Sequence, residues 1–176
     1  MSKHPFKIEI CVEGTDGLIA AQNGGADRAE LCASLFEGGL TPSLGVIREA
    51  VRVGTIPFHV IIRPRGGDFL YSEVEFNAML ADIKAIRDMG DVAGVVIGCL
   101  TADETKINAL LQEMLTTDGS IDETRTEALV EAARPMKVTC HRAFDMTRDY
   151  RVALEALIRC GVDRVLTSGQ RDTAVE

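Results

Sequence analysis

Ile56-Pro-Phe-His-Val-Ile-Ile-Arg-Pro-Arg-Gly-Gly-Asp-Phe-Leu-Tyr71 decides how this chain folds. It begins as a strand rich in β-branched and aromatic residues and breaks into a loop at Pro64 and Gly66-Gly67. His59, Ile61 and Arg63 share one face of that strand, and Phe58, Val60 and Ile62 share the other. One face is apolar and the other partly charged. The strand then delivers Arg65 and Asp68 into a glycine-containing loop, the composition of a binding site.

The same pattern recurs in both directions. Upstream, Lys7–Glu13 alternates, with Ile8, Ile10 and Val12 opposite Lys7, Glu9, Cys11 and Glu13. Thr15 or Asp16 can cap a helix to about Asn23, which Gly24-Gly25 ends. Arg28–Ala33 reads as a second strand, and Ser43–Val53 as a helix after the loop Glu37–Pro42. Downstream, Ser72 caps a long helix whose Phe76, Met79, Leu80, Ile83 and Ile86 fall at helical spacing. Val92–Leu100 is a fourth strand, Ala102–Leu115 an extra helix, and Asp122–Ala133 another helix. Met136–Arg142 is a fifth strand, Tyr150–Arg159 a helix and Arg164–Ser168 a sixth strand. Regular β-then-α order predicts parallel strands joined by right-handed crossovers. A weak repeat supports one recurring unit: Gly25-Ala-Asp-Arg-Ala-Glu-Leu31 resembles Gly161-Val-Asp-Arg-Val-Leu-Thr167.

An open doubly wound sheet is covered on both faces, so its central strands should be almost wholly apolar. Here Glu9, Cys11, Glu30, Cys32, His59, Arg63, Thr139 and His141 form a polar set along successive strands. Closing the sheet accounts for this, because charges turned into a shared lumen can pair instead of being buried singly. The expected fold is α/β, a TIM (β/α)8-type barrel in a single domain over residues 1–176, with the extra helix between strands 4 and 5. Such barrels typically take about 250 residues. The 176 here run only through a sixth βα unit, so the expectation is a barrel truncated there, lacking strands 7 and 8.

A net charge of −8 argues against a nucleic-acid partner. No apolar run approaches the roughly 18 residues of a membrane span. No apolar leader follows Met1, and five cysteines without compact spacing suggest reduced thiols, so a cytoplasmic location is expected. Sheet edges left uncovered favour self-association, so a homo-oligomer is expected.

Five blocks, in order, resemble the CutC family, named for copper homeostasis: Ala26–Cys32, Glu37–Gly45, Ile62–Phe69, His141–Met146 and Arg164–Gln170. The resemblance implies a TIM barrel, a cytoplasmic location and copper, as Cu(I), held by lumen thiols. The family's cysteine pair on the first two strands matches Cys11 and Cys32. These have the same strand parity on neighbouring strands about 4.8 Å apart, and soft thiolates suit monovalent copper. Alternatively, both pack as small hydrophobes, the role expected of Cys99, Cys140 and Cys160.

A second reading is a TIM-barrel enzyme acting on a small phosphate or carboxylate substrate. Arg63, Arg65, Gly66, Gly67 and His59 would bind the anion, unless the arginines form structural ion pairs with Glu9, Glu30 or Asp68. His141 with Glu9 or Glu30 would move protons, with Asp145 a further partner, unless the histidines are structural or extra metal ligands. Gly38–Pro42 and Thr167–Gln170 follow strands and would shape the same rim. A third reading is an interaction scaffold assembling through its edges.

Overall fold

Val12, Leu31, Val60, Val95 and Val138 lie in one register row across five neighbouring parallel strands. All five are buried beneath the helices. The strands are β1 (Glu9–Glu13), β2 (Arg28–Cys32), β3 (Phe58–Ile61), β4 (Gly94–Ile97) and β7 (Lys137–Cys140), and β8 (Arg164–Val165) completes the sheet. The order is β1-β2-β3-β4-β7-β8, parallel throughout. This computed structural model describes residues 5–102, 119–171 and 174.

The neighbouring row is Cys11, Glu30, His59, Gly94 and Lys137, on the opposite face by strand alternation. The sheet is curled about this second face. Arg164 on β8 places Nη2 3.0 Å from His59 Nε2 on β3, with two strands lying between them in sheet order. In a flat sheet three inter-strand steps would separate those backbones by roughly 14 Å, beyond an arginine's reach. The sheet is therefore a partial barrel with a polar lumen, as the alternation predicts, and the expected TIM-type architecture is observed.

Helices α1 (Gly14–Asn23), α2 (Leu44–Val53), α3 (Glu73–Met89), α4 (Glu123–Ala133) and α5 (Tyr150–Arg159) are the described helices. Ser72 caps as read, and Ser43, expected as the first residue of its helix, is the cap that precedes α2. Ser72 forms a full capping box with Glu75, whose carboxylate accepts the Ser72 N–H at 2.8 Å. The cap expected at Thr15 or Asp16 is not used: α1 starts at Gly14 after Glu13, which makes no side-chain cap bond. Gly14, at φ 67, takes the left-handed conformation that turns β1 directly into the helix.

The repeated Gly-x-Asp-Arg segments do the same work twice. Gly25 and Gly161 have φ of 85 and 78. Asp27 Oδ2 then accepts the Ile8 N–H at 2.8 Å, and Asp163 Oδ2 accepts the Val138 N–H at 2.9 Å. Each aspartate pins the start of its strand to the neighbouring one, fixing the register.

Strand 4 is shorter than expected. It stops at Ile97, and Leu100 opens a separate antiparallel ladder, β5 (Leu100–Ala102) with β6 (Gly119–Ile121). Gly98 marks the break; a Cβ there would lie 2.7 Å from Ala143 Cβ and closer still to His141 Cε1. The fifth and sixth predicted strands are likewise trimmed, Arg142–Met146 forming a 3-10 turn. The extra helix expected at 102–115 falls outside the described residues, except that Ala102 ends β5.

Candidate functional site

The C-terminal ends of the parallel strands surround a cavity of about 940 Å³, where barrels of this type carry their sites. Cys11, Glu30, Cys32, Arg63, Gly67 and His141 of the predicted set line it. His59, Glu9, Arg65 and Gly66 are elsewhere.

The thiols meet at Glu30. Register pairs Cys11 with Glu30, and Cys32 with Glu13, so the cysteines are offset by two residues rather than directly opposed. That places their backbones roughly 8 Å apart on the diagonal. The Cys11 thiol donates to Glu30 Oε2 at 3.4 Å, and Cys32 Sγ lies 3.8 Å from Oε1. One buried carboxylate therefore sits between two sulfurs. Burial, and then the Glu30 charge, push the Cys11 thiol up to about 12, although Cys11 is exposed on its open side. The same two causes raise Cys32, and burial raises Glu30. Both thiols are protonated at neutral pH, and a bound metal would have to displace those protons. A two-sulfur set suits Cu(I), which prefers few, soft ligands. Among the described residues no three histidine, cysteine or carboxylate side chains are arranged to hold a metal ion.

The arginines are committed to the chain itself. Arg63 Nη1 donates to the carbonyls of Glu37 (2.6 Å) and Gly39 (3.1 Å), and Nη2 to that of Gly67 (2.8 Å). The guanidinium thus ties together two loops that follow different strands. Arg65 donates to Glu75 at 2.6 Å, to Asp68 at 3.0 Å and to the Leu70 carbonyl at 2.9 Å. It anchors the Gly66-Gly67 loop to the α3 capping box. The Asp68 pair is the structural alternative foreseen for Arg65.

His141 stands at the end of β7, 4% exposed. Its Nδ1 accepts the Ala143 N–H at 3.1 Å, and its Nε2 is buried without a hydrogen-bond partner among the described residues. Burial, and then the Arg63 charge, pull it down to about 3, so the ring is neutral at physiological pH. No hydrogen bond joins it to Glu9 or Glu30 among the described residues. His59 does not line the cavity but lies beside Arg164 and Arg28, where burial and the charges of those two pull it down to about 4. Glu9 pairs there with Arg28. Asp145 accepts from Thr167 Oγ1 at 2.5 Å and from the Ser168 and Gln170 N–H groups at 3.0 Å each, so it organises the β8 rim.

Two residues of the site were not singled out from sequence. Phe69 packs against His141 with ring centroids 4.7 Å apart, and carries the Arg63 guanidinium 5.1 Å from its centroid. Gly98 leaves room for the His141 ring. The signal for Gly98 was available: a glycine within an apolar strand marks close approach by another group.

Parallel strands curled around a polar lumen, with the cavity at their C-terminal ends, define a TIM-barrel-type protein. The chain belongs to the CutC family, whose model matches residues 6–176. It is 64% identical over 169 residues to a CutC family protein of Mesorhizobium japonicum, covering 96% of this chain and 59% of that one. It is 49% identical over 170 residues to one of Parabacteroides distasonis, covering 96% and 63%. The chain thus spans about three-fifths of the length of these curated relatives. A solved CutC structure from Streptococcus agalactiae, whose name refers to copper homeostasis, superposes with a TM-score of 0.78 at 29% identity, over 95% of this chain and 75% of that one. A phosphoenolpyruvate phosphomutase from Streptomyces platensis subsp. rosaceus superposes at 0.58 with 18% identity, over 92% and 59%, a likeness of fold alone. No helix among the described residues is long and apolar enough to cross a membrane.

Proposed function

We propose that this chain binds copper as Cu(I) through Cys11 and Cys32, with the ion as cargo, in a cytoplasmic protein of copper homeostasis. The observation that carries the reading is the convergence of both thiols on the Glu30 carboxylate at the cavity wall. It is supported by family membership and by five free cysteines, consistent with a reducing compartment. The acid–base enzyme reading has less support, because His141 is neutral and lacks a hydrogen-bonded carboxylate among the described residues. The homo-oligomer remains part of the proposal. Among the described residues β1 and β8 each have one neighbour in the sheet, so their outer edges offer backbone groups to a second copy.

Titration of the reduced protein with Cu(I) against a competing chelator tests the copper site. The Cys11→Ser, Cys32→Ser double variant is expected to lose binding. Affinity should fall with pH by about tenfold per unit for each thiol proton displaced. Unchanged affinity in the double variant would refute the thiol site. Sedimentation of the metal-free protein tests assembly, and a strictly monomeric species would rule out the homo-oligomer.

A further inference from the structure

Arg63 is 5% exposed and lines the cavity, yet no carboxylate lies within ion-pair distance of it among the described residues. Its hydrogen bonds go to three backbone carbonyls, which supply dipoles but no opposing charge. Buried charges in proteins are ordinarily paired. The Tyr71 hydroxyl lies near this guanidinium, but burial keeps the phenol protonated, so it supplies no opposing charge.

Beside this cation stands a second buried donor. Because His141 Nδ1 accepts the Ala143 N–H, the neutral ring carries its proton on Nε2, the nitrogen without a partner. Arg63 and His141 both pack on the Phe69 ring, and all three residues line the cavity. Much of the remaining wall is apolar, including Leu35, Ile61, Leu70 and Leu166.

From this juxtaposition we infer that the cavity binds a small organic carboxylate with an apolar body, its oxygen accepting from His141 Nε2–H and its charge answering Arg63. Such a ligand supplies both what the cation lacks and what the imidazole lacks, while its hydrocarbon portion lies against the aliphatic wall. A phosphate dianion fits less well, because the three backbone carbonyls already occupy the fork of the guanidinium. His141 acts here as a fixed hydrogen-bond donor and moves no proton. The inference does not depend on copper binding.

Calorimetry on the metal-free, reduced protein, with hexanoate, hexanamide and inorganic phosphate as probes, tests it. Hexanoate should bind at least about tenfold more tightly than hexanamide, which keeps the shape and loses the charge. Nitrogen-15 spectra should show the Nε2–H tautomer of His141, with that proton shifting downfield as hexanoate is added. His141→Leu should weaken hexanoate about tenfold or more, and His141→Gln, which keeps a donor, by less. Circular dichroism establishes that each variant is folded, and the acid–amide comparison needs no variant. Equal affinity for acid and amide, an Nδ1–H tautomer, phosphate bound in preference to hexanoate, or an Nε2–H indifferent to hexanoate would overturn the assignment. The last would leave that donor to an internal water.

Discussion

Cys11 and Glu30 face each other across the β1–β2 register, with the thiol donating to Glu30 Oε2 at 3.4 Å. Burial and then the carboxylate's charge hold this thiol far from ionisation. Glu30→Gln keeps the shape and removes the charge, so thiolate should form more readily. At pH 8.5, alkylation of Cys11 by iodoacetamide should quicken by roughly three- to tenfold, since the thiolate is the reacting species. Peptide mass analysis locates the adduct. An unchanged rate would mean that burial alone sets the thiol's behaviour.

Both described histidines should make the fold sensitive to mild acid. Unfolded histidine titrates near 6.5, whereas His59 and His141 are pulled down to about 4 and about 3. A depressed folded value means that the unfolded chain takes up protons first. The stability contributed is present above pH 6.5 and is lost as pH falls below it. Between pH 7 and 5 the loss should be about 2 kcal/mol for each ring. Urea midpoints at the two pH values measure it. His59→Gln and His141→Gln should each flatten the dependence, and a slope unaltered in both would exclude this cause.

Gly98 should tolerate no side chain. In Gly98→Ala the new Cβ would meet Ala143 Cβ at 2.7 Å and crowd the His141 ring. Overpacking of this kind typically costs about 1–3 kcal/mol. Thermal unfolding measures the loss, and imidazole spectra should show His141 displaced. A melting temperature equal to that of the unsubstituted protein would mean that the β7 end yields freely.

Much of this site was legible in the chain because alternation is local. Cys11, Glu30, Cys32, Arg63 and His141 could be assigned to one face from parity alone, and they line one cavity. Ser72 announced the start of α3, where the structure adds Glu75 to complete a capping box. The Gly-x-Asp-Arg repeat announced its recurrence, although not that each aspartate would bind a neighbouring strand's N–H. What stayed hidden depends on distant partners. The two-residue offset between Cys11 and Cys32 follows from strand register, which parity does not specify. The partners of Arg63 are carbonyls at Glu37, Gly39 and Gly67, and a carbonyl leaves no signature in side-chain identity. Arg65 looked equally available, yet Glu75, already spoken for by the cap, claims it too.

The contact between Arg164 and His59 bears on how the bend of the sheet is maintained. It works as a cross-brace spanning the arc like a chord, linking strands that are not neighbours. Curvature is thereby prescribed from inside these six strands and needs no external mould. Any backbone laid along the β1 or β8 edge would meet a template whose radius is already set.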